Sequence, residues 1–379
     1  MDSVGDSDRI SALPDDLLHQ ILAAVGDAVT VTRTAVLSRR WRNVWTHAQR
    51  LVLVDQRVIR GTKFEDFVDW VFAQRGNADI DSLDINYKCR YLNQYPAAAG
   101  IPHERINRWL RYATQCVVES LNIDLPYYYH EKSKIKIPMA ATAKYEALTE
   151  LSLFAASFDE EELGGVRTLG DFVSSCCPRL RKLDIQLPER LQQLVLHTES
   201  LEELNLYCVE DLRTLDVTAP NLRVLKLKLA CCLHESAVKV SAKRLEEVEV
   251  HLPQEGVSRL DMVGLTCVRR LGSIGLYFHG QHYGPDRGGG WWLLENCPAA
   301  EHVKVSLGHW EASNVTDGEL VDLTSFQGAP LTFPSVGRME VTVKAHQFPE
   351  GHLVASMSSL LLRTLAGGGI AYAVDLILG

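Results

Sequence analysis

The sequence predicts an α/β chain in two parts. A small N-terminal module of three helices is followed by a solenoid of short repeats, with parallel strands on its concave face. Three observations predict this. Residues 11–47 carry helix caps, helically spaced apolar residues and helix stops. From residue 80 onward the pattern L-x-x-L-x-L, with Val, Ile or Met substituting, recurs along the chain. Its central copies return at a near-constant interval.

The module comes first. Ser11 is in place to cap a first helix, Pro14 fits the first turn, and Asp15 and Asp16 suit its positive end. Leu17, Leu18, Ile21, Leu22 and Val25 then recur at helical spacing, and Gly26 stops the run. A second helix is expected over 28–37. Ser38 caps a third over 39–47, which carries Trp41 and Trp45 four residues apart and so on one face. Three short helices bury too little surface to be comfortable alone. Their remaining apolar side chains either face a partner or pack against the rest of this chain; composition supports both.

Residues 55–79 read as a linking helix. Phe64, Phe67, Val68, Val71 and Phe72 share one face and are expected to seal the first repeat, because a bare repeat end exposes core.

The repeats occupy 80–350. Their triplets are Ile80/Leu83/Ile85, Val118/Leu121/Ile123, Leu148/Leu151/Leu153, Leu180/Leu183/Ile185, Leu201/Leu204/Leu206, Leu222/Leu225/Leu227, Leu245/Val248/Val250, Ala300/Val303/Val305 and Val336/Met339/Val341. The central copies open at 180, 201, 222 and 245, inside the leucine-rich-repeat period of about 20–29 residues. Each unit has an apolar edge that only a neighbour can bury, so the units stack. Leu191/Leu194/Leu196 and Leu212/Leu215/Val217 read as short strands on the convex side. Residues 171–178 and 291–298 read as convex helices, each stopped by Cys-Pro. The wider early spacing implies longer convex insertions there. Where the generic repeat places Asn or Cys, this chain has Val209 and Ala230, so the usual side-chain ladder is absent or replaced. The residues between the leucines point outward, which makes Glu202, Glu203, Asn205, Arg223, Lys226, Glu246, Glu247 and Glu249 candidate target contacts of mixed charge.

Residues 351–379 are expected to hold a helix near 351–365, then a glycine run and a short apolar tail that is a poor cap or a mobile segment.

Composition narrows the function. A net charge of −9 argues against a general nucleic-acid binder. The start, MDSVGDSDRI, is acidic and polar rather than a signal peptide, and no stretch reaches the roughly 18 apolar residues of a membrane span. Nine cysteines, an odd count, read as free thiols in the cytoplasm or nucleus. No nucleophile elbow, phosphate-binding loop or zinc-protease motif occurs. His279, His282 and Asp286 have conceivable metal spacing, but the segment HGQHYGPDRGGG reads better as a surface loop. Residues 127–136, aromatic and basic, and Glu160 to Glu162 read as solvated loops. No cofactor is expected.

The words LPDDLLHQIL (13–22) and AVLSRRWRNVW (35–45) closely resemble the F-box of plant F-box proteins, over residues 9–54. With the repeats and their Cys-Pro stops, the chain resembles the plant F-box/leucine-rich-repeat family, in its FBD-like group. Further repeats and a C-terminal domain frequent in that group have no clear copy here, so a short form is expected. The resemblance implies that Leu13, Pro14, Ile21, Leu22, Val36, Leu37, Ser38, Trp41 and Trp45 grip a Skp-like adaptor, and through it a cullin. It further implies that the repeats, above all Glu203, Asn205, Arg223, Lys226, Glu247 and Glu249, hold an unknown target protein. That makes the chain a non-catalytic subunit of a ubiquitin ligase, with no nucleic-acid or membrane partner. No motif identifies a small-molecule glue. One departure stands out: the stretch AAVGDAVTVTRTA is one residue longer and less apolar than the family's turn, which implies lower adaptor affinity. The alternative is a repeat scaffold whose weakened F-box acts outside ubiquitination.

Overall fold

Short parallel strands, one per repeat, organise most of this molecule. A computed structural model describes residues 10, 13–55, 62–87, 103–124, 143–156, 168–210, 212–229, 236–251, 257–279, 289–310, 336–344 and 371–377. The chain divides into two compact units, Met1–Glu189 and Arg190–Gly379.

The first unit begins with α1 (Asp15–Val25), which has two acidic residues in its first turn and Pro14 at its N-cap without a side-chain cap; Ser11 lies outside the described residues. Gly26 ends α1 at φ +66°, its N–H bonded to the Leu22 carbonyl. That left-handed geometry suits glycine. Asp27 then caps α2 (Ala28–Arg33) by accepting from the Thr30 N–H at 3.1 Å. The second helix is shorter than expected and narrows to a 3₁₀ turn over Thr34–Val36. Thr32 and Thr34 hydroxyls bond back to the Val29 and Val31 carbonyls, which competes with regular helix geometry. The third helix is one turn, α3 (Trp41–Val44), continued as a 3₁₀ turn over Trp45–His47. The Ser38 hydroxyl accepts from the Trp41 N–H at 3.4 Å.

Next comes β1 (Arg50–Val54), read from sequence as the end of the helical module. It is the edge strand of a parallel sheet. The order is β1, β2 (Ile80–Asn86), β3 (Val117–Asp124), β4 (Glu150–Phe154), β5 (Lys182–Gln186). All neighbours are parallel. Helices form the crossovers. In α4 (Phe64–Arg75), Phe64, Val68, Val71 and Phe72 are buried and Phe67 is half-buried. The insertion before β3 holds a helix that its spacing alone did not reveal, α5 (His103–Cys116). It buries Ile106, Trp109, Leu110, Ala113 and Cys116, a stripe at helical period. The expected convex helix before β5 is α6 (Leu169–Cys176), opened by a capping box between Thr168 and Asp171.

The helical module also meets the edge of this sheet. The Val52 N–H donates to the Gly26 carbonyl at 2.8 Å, and Asp27 forms a single parallel bridge with Val52. The helical module itself covers β1, while α4 packs in the first crossover.

The second unit alternates between two parallel sheets. The larger holds β7 (Glu203–Val209), β9 (Val224–Leu229), β11 (Glu247–His251), β13 (Arg270–His279), β14 (His302–Trp310), β15 (Arg338–Lys344) and β16 (Ala371–Ile377). The smaller holds β6 (Gln193–His197), β8 (Thr214–Thr218), β10 (Ser236–Ser241) and β12 (Val257–Val263). The two short convex strands read from sequence are β6 and β8, and β10 and β12 extend the set. Between β13 and β14 the convex strand gives way to a helix, α7 (Gly289–Asn296). Equivalent leucine positions fall into register: Leu204, Leu225, Val248, Leu271, Val303 and Met339 pair in turn and are all buried. This is the packing expected of a leucine-rich-repeat-like array.

Several readings need revision. Strand β13 carries Leu271 and Ile274, preceded by Val268, with one residue more between the last two than the L-x-x-L-x-L pattern allows; the register shifts there as in a bulge. The apolar tail supplies β16, paired along its length with β15. The helix expected near 351–365 lies outside the described residues, as do Ala230 and residues 127–136. Val209 is fully buried. In place of an Asn ladder, Ala155, Leu187 and Cys208 adopt left-handed φ of +54°, +47° and +51°, each two positions after the last inward residue of its triplet.

Candidate functional site

Helix α1 carries two apolar stripes. Leu18 and Leu22 face inward and are buried, whereas Leu17, Ile21 and Val25, four residues apart, are 43–45% exposed. The turn after α2 adds Val36 at 84% and Leu37 at 63%. Exposed apolar side chains along one face of a helix form a candidate interaction surface. Arg40 holds the turn against the start of α1: its Nε donates to Asp15 Oδ1 at 2.7 Å and its Nη2 to the Leu13 carbonyl at 2.6 Å. Both Arg40 and Asp15 are solvent-exposed, so the pair orients more than it stabilises.

The residues proposed from sequence as one adaptor seam therefore separate. Pro14, Ile21, Val36 and Leu37 are exposed, and Leu13 is half-buried. Leu22, Trp41 and Trp45 are 2–3% exposed and belong to the core of the module. Ser38 is half-buried and accepts the bond from the Trp41 N–H already described. Trp45 stacks on Trp70 of α4 at 5.5 Å. Leu17 and Val25 were missed as surface residues. The available signal was the width of the stripe, because five large aliphatic residues in nine exceed what one buried face of a short helix needs.

On the outward face of the larger sheet in the second unit, the candidate target contacts lie on adjacent strands, as register requires. Asn205 pairs with Lys226, and Lys226 with Glu249. Their charges are largely committed to one another. Arg223 grips Glu246 through two hydrogen bonds of 3.1 and 2.9 Å. Glu247 lies between Lys226 at 3.3 Å and Arg270 at 3.1 Å. Arg269 reaches Glu301 at 3.3 Å, and Glu340 takes Arg338 at 2.7 Å. The rung from Glu202 through Arg223, Glu246 and Arg269 to Glu301 alternates in sign at one repeat position. Glu203 is exposed, and Asn205 and Glu249 are half-buried. Beside them Tyr207 is 40% exposed, with the Lys228 ammonium 4.5 Å from its ring centroid and 3.1 Å from its hydroxyl. The hydrogen bond from Arg223 holds the Glu246 carboxyl below its ordinary range.

Two buried thiols resist ionisation. Burial pushes Cys177 and Cys297 up to about 12, and the neighbouring Cys176 adds to the rise at Cys177. Among the described residues no group of three His, Cys, Asp or Glu is placed to hold a metal ion. The side chains of His279, His282 and Asp286 lie outside the described set.

No protein-family model matches the chain. It is 24% identical over 247 residues to F-box/LRR-repeat protein 25 of Arabidopsis thaliana, covering 59% of this chain and 86% of that protein. It is 24% identical over 289 residues to a putative F-box/LRR-repeat protein of the same plant, covering 70% of this chain and 57% of the relative. An F-box/FBD/LRR-repeat protein of Arabidopsis is 26% identical over 235 residues, covering 59% and 45%. The chain thus spans about half the length of the second and third of these relatives.

Proposed function

Because this chain is homologous to plant F-box/LRR-repeat proteins, we propose that it is a substrate-recognition subunit of a Skp–cullin–F-box ubiquitin ligase. Its helical module docks a Skp-like adaptor, and its repeats hold a target protein. The observation that carries this reading is the exposed apolar surface of Leu17, Ile21, Val25, Val36 and Leu37 in the segment that resembles an F-box. A short helix spending so much apolar area on solvent is accounted for by a partner that covers it.

Such a subunit needs no catalytic group. It raises the effective concentration of a target lysine near a charged ubiquitin thioester held elsewhere in the assembly. We place the chain in the cytoplasm or nucleus; the six described cysteines are free thiols, which suits a reducing compartment. No described helix is long and apolar enough to cross a membrane.

The test is capture of purified Skp-like adaptor by the full chain and by a Val36→Asp/Leu37→Asp variant. Binding by the wild type and loss in a variant of unchanged circular dichroism supports the reading. A folded wild type that captures no adaptor removes it. A second reading is then preferred: a repeat scaffold whose F-box serves only this chain. The bond between Gly26 and Val52 favours that reading, because it gives the module a structural role with no partner present.

A further inference from the structure

Within the first unit, three kinds of contact tie the helical module to the first repeat. The first is backbone. Val52 lies on the edge strand of the sheet, and an edge strand presents unpaired groups. Its N–H is taken by the Gly26 carbonyl at 2.8 Å, beside the bridge to Asp27. Gly26 and Asp27 sit in the lengthened stretch between α1 and α2, so the departure from the family's turn is the part that meets the sheet. The second contact is aromatic: Trp45, 2% exposed, stacks on Trp70 of α4 at 5.5 Å and 20°.

The third contact is a buried cation. Arg75, at the end of α4, is only 5% exposed. Its Nη1 donates to the Trp45 carbonyl at 3.4 Å and its Nη2 to the Asp79 carbonyl at 3.2 Å. One guanidinium thus joins the last turn of the module to the residue that precedes β2. Burying a guanidinium is costly, and burial pulls its pKa down, with the Tyr112 hydroxyl close enough to oppose that fall. A methionine would fill the same space without that cost. Arg75 is explained by what it joins.

We infer that the helical module is the N-terminal cap of the repeat sheet and that Arg75 is the positioning residue that locks it, so that the module, β1 and β2 open as one cooperative unit. The exposed surface of α1 is then carried on the first repeat itself rather than on a hinged tether. This inference stands independently of the proposed adaptor, because it concerns contacts within the chain.

Native-state hydrogen exchange of the full-length wild type, followed by mass spectrometry through sub-denaturing urea, tests it. Peptides covering 28–47, 50–54 and 80–86 are expected to lose protection at the same urea concentration and with the same slope. Helices that exchange through a smaller opening, while β1 and β2 stay protected, would overturn it. A full-length Arg75→Met variant gives a second readout. Exchange is expected to rise about tenfold in 41–47, 50–54 and 80–86 alike. A rise confined to 41–47 would reduce Arg75 to a local contact and overturn the lock. Should that variant not fold, the wild-type experiment decides alone. Adaptor binding enters neither measurement, so this proposal and the functional one fail separately.

Discussion

Leu37 and Trp41 are four residues apart in a segment that reads as one binding word, yet Leu37 is 63% exposed and Trp41 is 3% exposed. The chain changes direction between them. A 3₁₀ turn ends at Val36, and the Ser38 hydroxyl accepts from the Trp41 N–H where the next turn of helix starts. Leu37 is left on the rim while the indole goes into the module.

That division predicts opposite phenotypes. Trp41→Ala should destabilise the chain by roughly 3–5 kcal/mol, the usual range for a buried aromatic cut to alanine. Leu37→Asp should leave urea unfolding within about 0.5 kcal/mol of wild type while abolishing adaptor capture. The idea is sunk if Trp41→Ala unfolds like the wild type and only binding changes.

Gly264 is the least replaceable described glycine. It has φ +100°, and a Cβ there would lie 1.7 Å from the Ala242 carbonyl oxygen and 2.7 Å from its carbon. Both atoms are backbone of the preceding convex turn, so neither can swing aside. Gly264→Ala is expected to cost about 3 kcal/mol or more, seen as a lower urea midpoint. Gly76→Ala, with open space around its Cβ, is the control that carries backbone strain alone, at φ +59° and ψ −130°. Equal losses at the two sites would count against the steric argument.

The charged rungs on the larger sheet should show in the acid limb of stability. The carboxyl of Glu246 is held below its ordinary 4.5 by the hydrogen bond from Arg223. A group depressed in the folded state stabilises fully above its unfolded pKa, and that contribution is lost as pH falls through the folded value. Glu246→Gln should therefore lower the urea midpoint slightly near pH 7 and converge with the wild type once the pH has fallen below the ordinary carboxyl range. Because the pair is exposed, molar salt should shrink the pH 7 difference. A gap that persists in acid would mean the carboxylate is not the source.

Cysteine labelling gives a map of packing. At pKa about 12, Cys177 and Cys297 hold about one part in ten thousand as thiolate near pH 8, and both are fully buried. Iodoacetamide should modify Cys267, which is exposed, in the native chain, and reach Cys177 and Cys297 only in denaturant. Peptide mapping reads this directly. Early loss of Cys177 would show that the α6 layer opens readily.

Much of the fold was legible because the repeat is local. A triplet such as Leu201/Leu204/Leu206 alternates at strand period, and only stacking on like neighbours buries it; all three are fully buried. Legibility failed where geometry departed from the period. The bulge in β13 spaces Leu271 and Ile274 one residue too far. The left-handed turns at Ala155, Leu187 and Cys208 carry no glycine or asparagine to announce them. The outward charges were read residue by residue, and their pairing across strands needs the register.

By itself, then, the sequence determined the class of the molecule: a helical module with a partner-facing resemblance, then parallel repeats built on period-two leucines. These features depend on near neighbours along the chain. Only the tertiary structure decided which apolar residues of the module face solvent, since Leu17 and Leu18 differ by one position and helix packing alone sends one out and the other in. It also decided that the edge of the first sheet is closed by Gly26 against Val52. A backbone carbonyl has no side-chain signature, so no reading of residue types finds that contact.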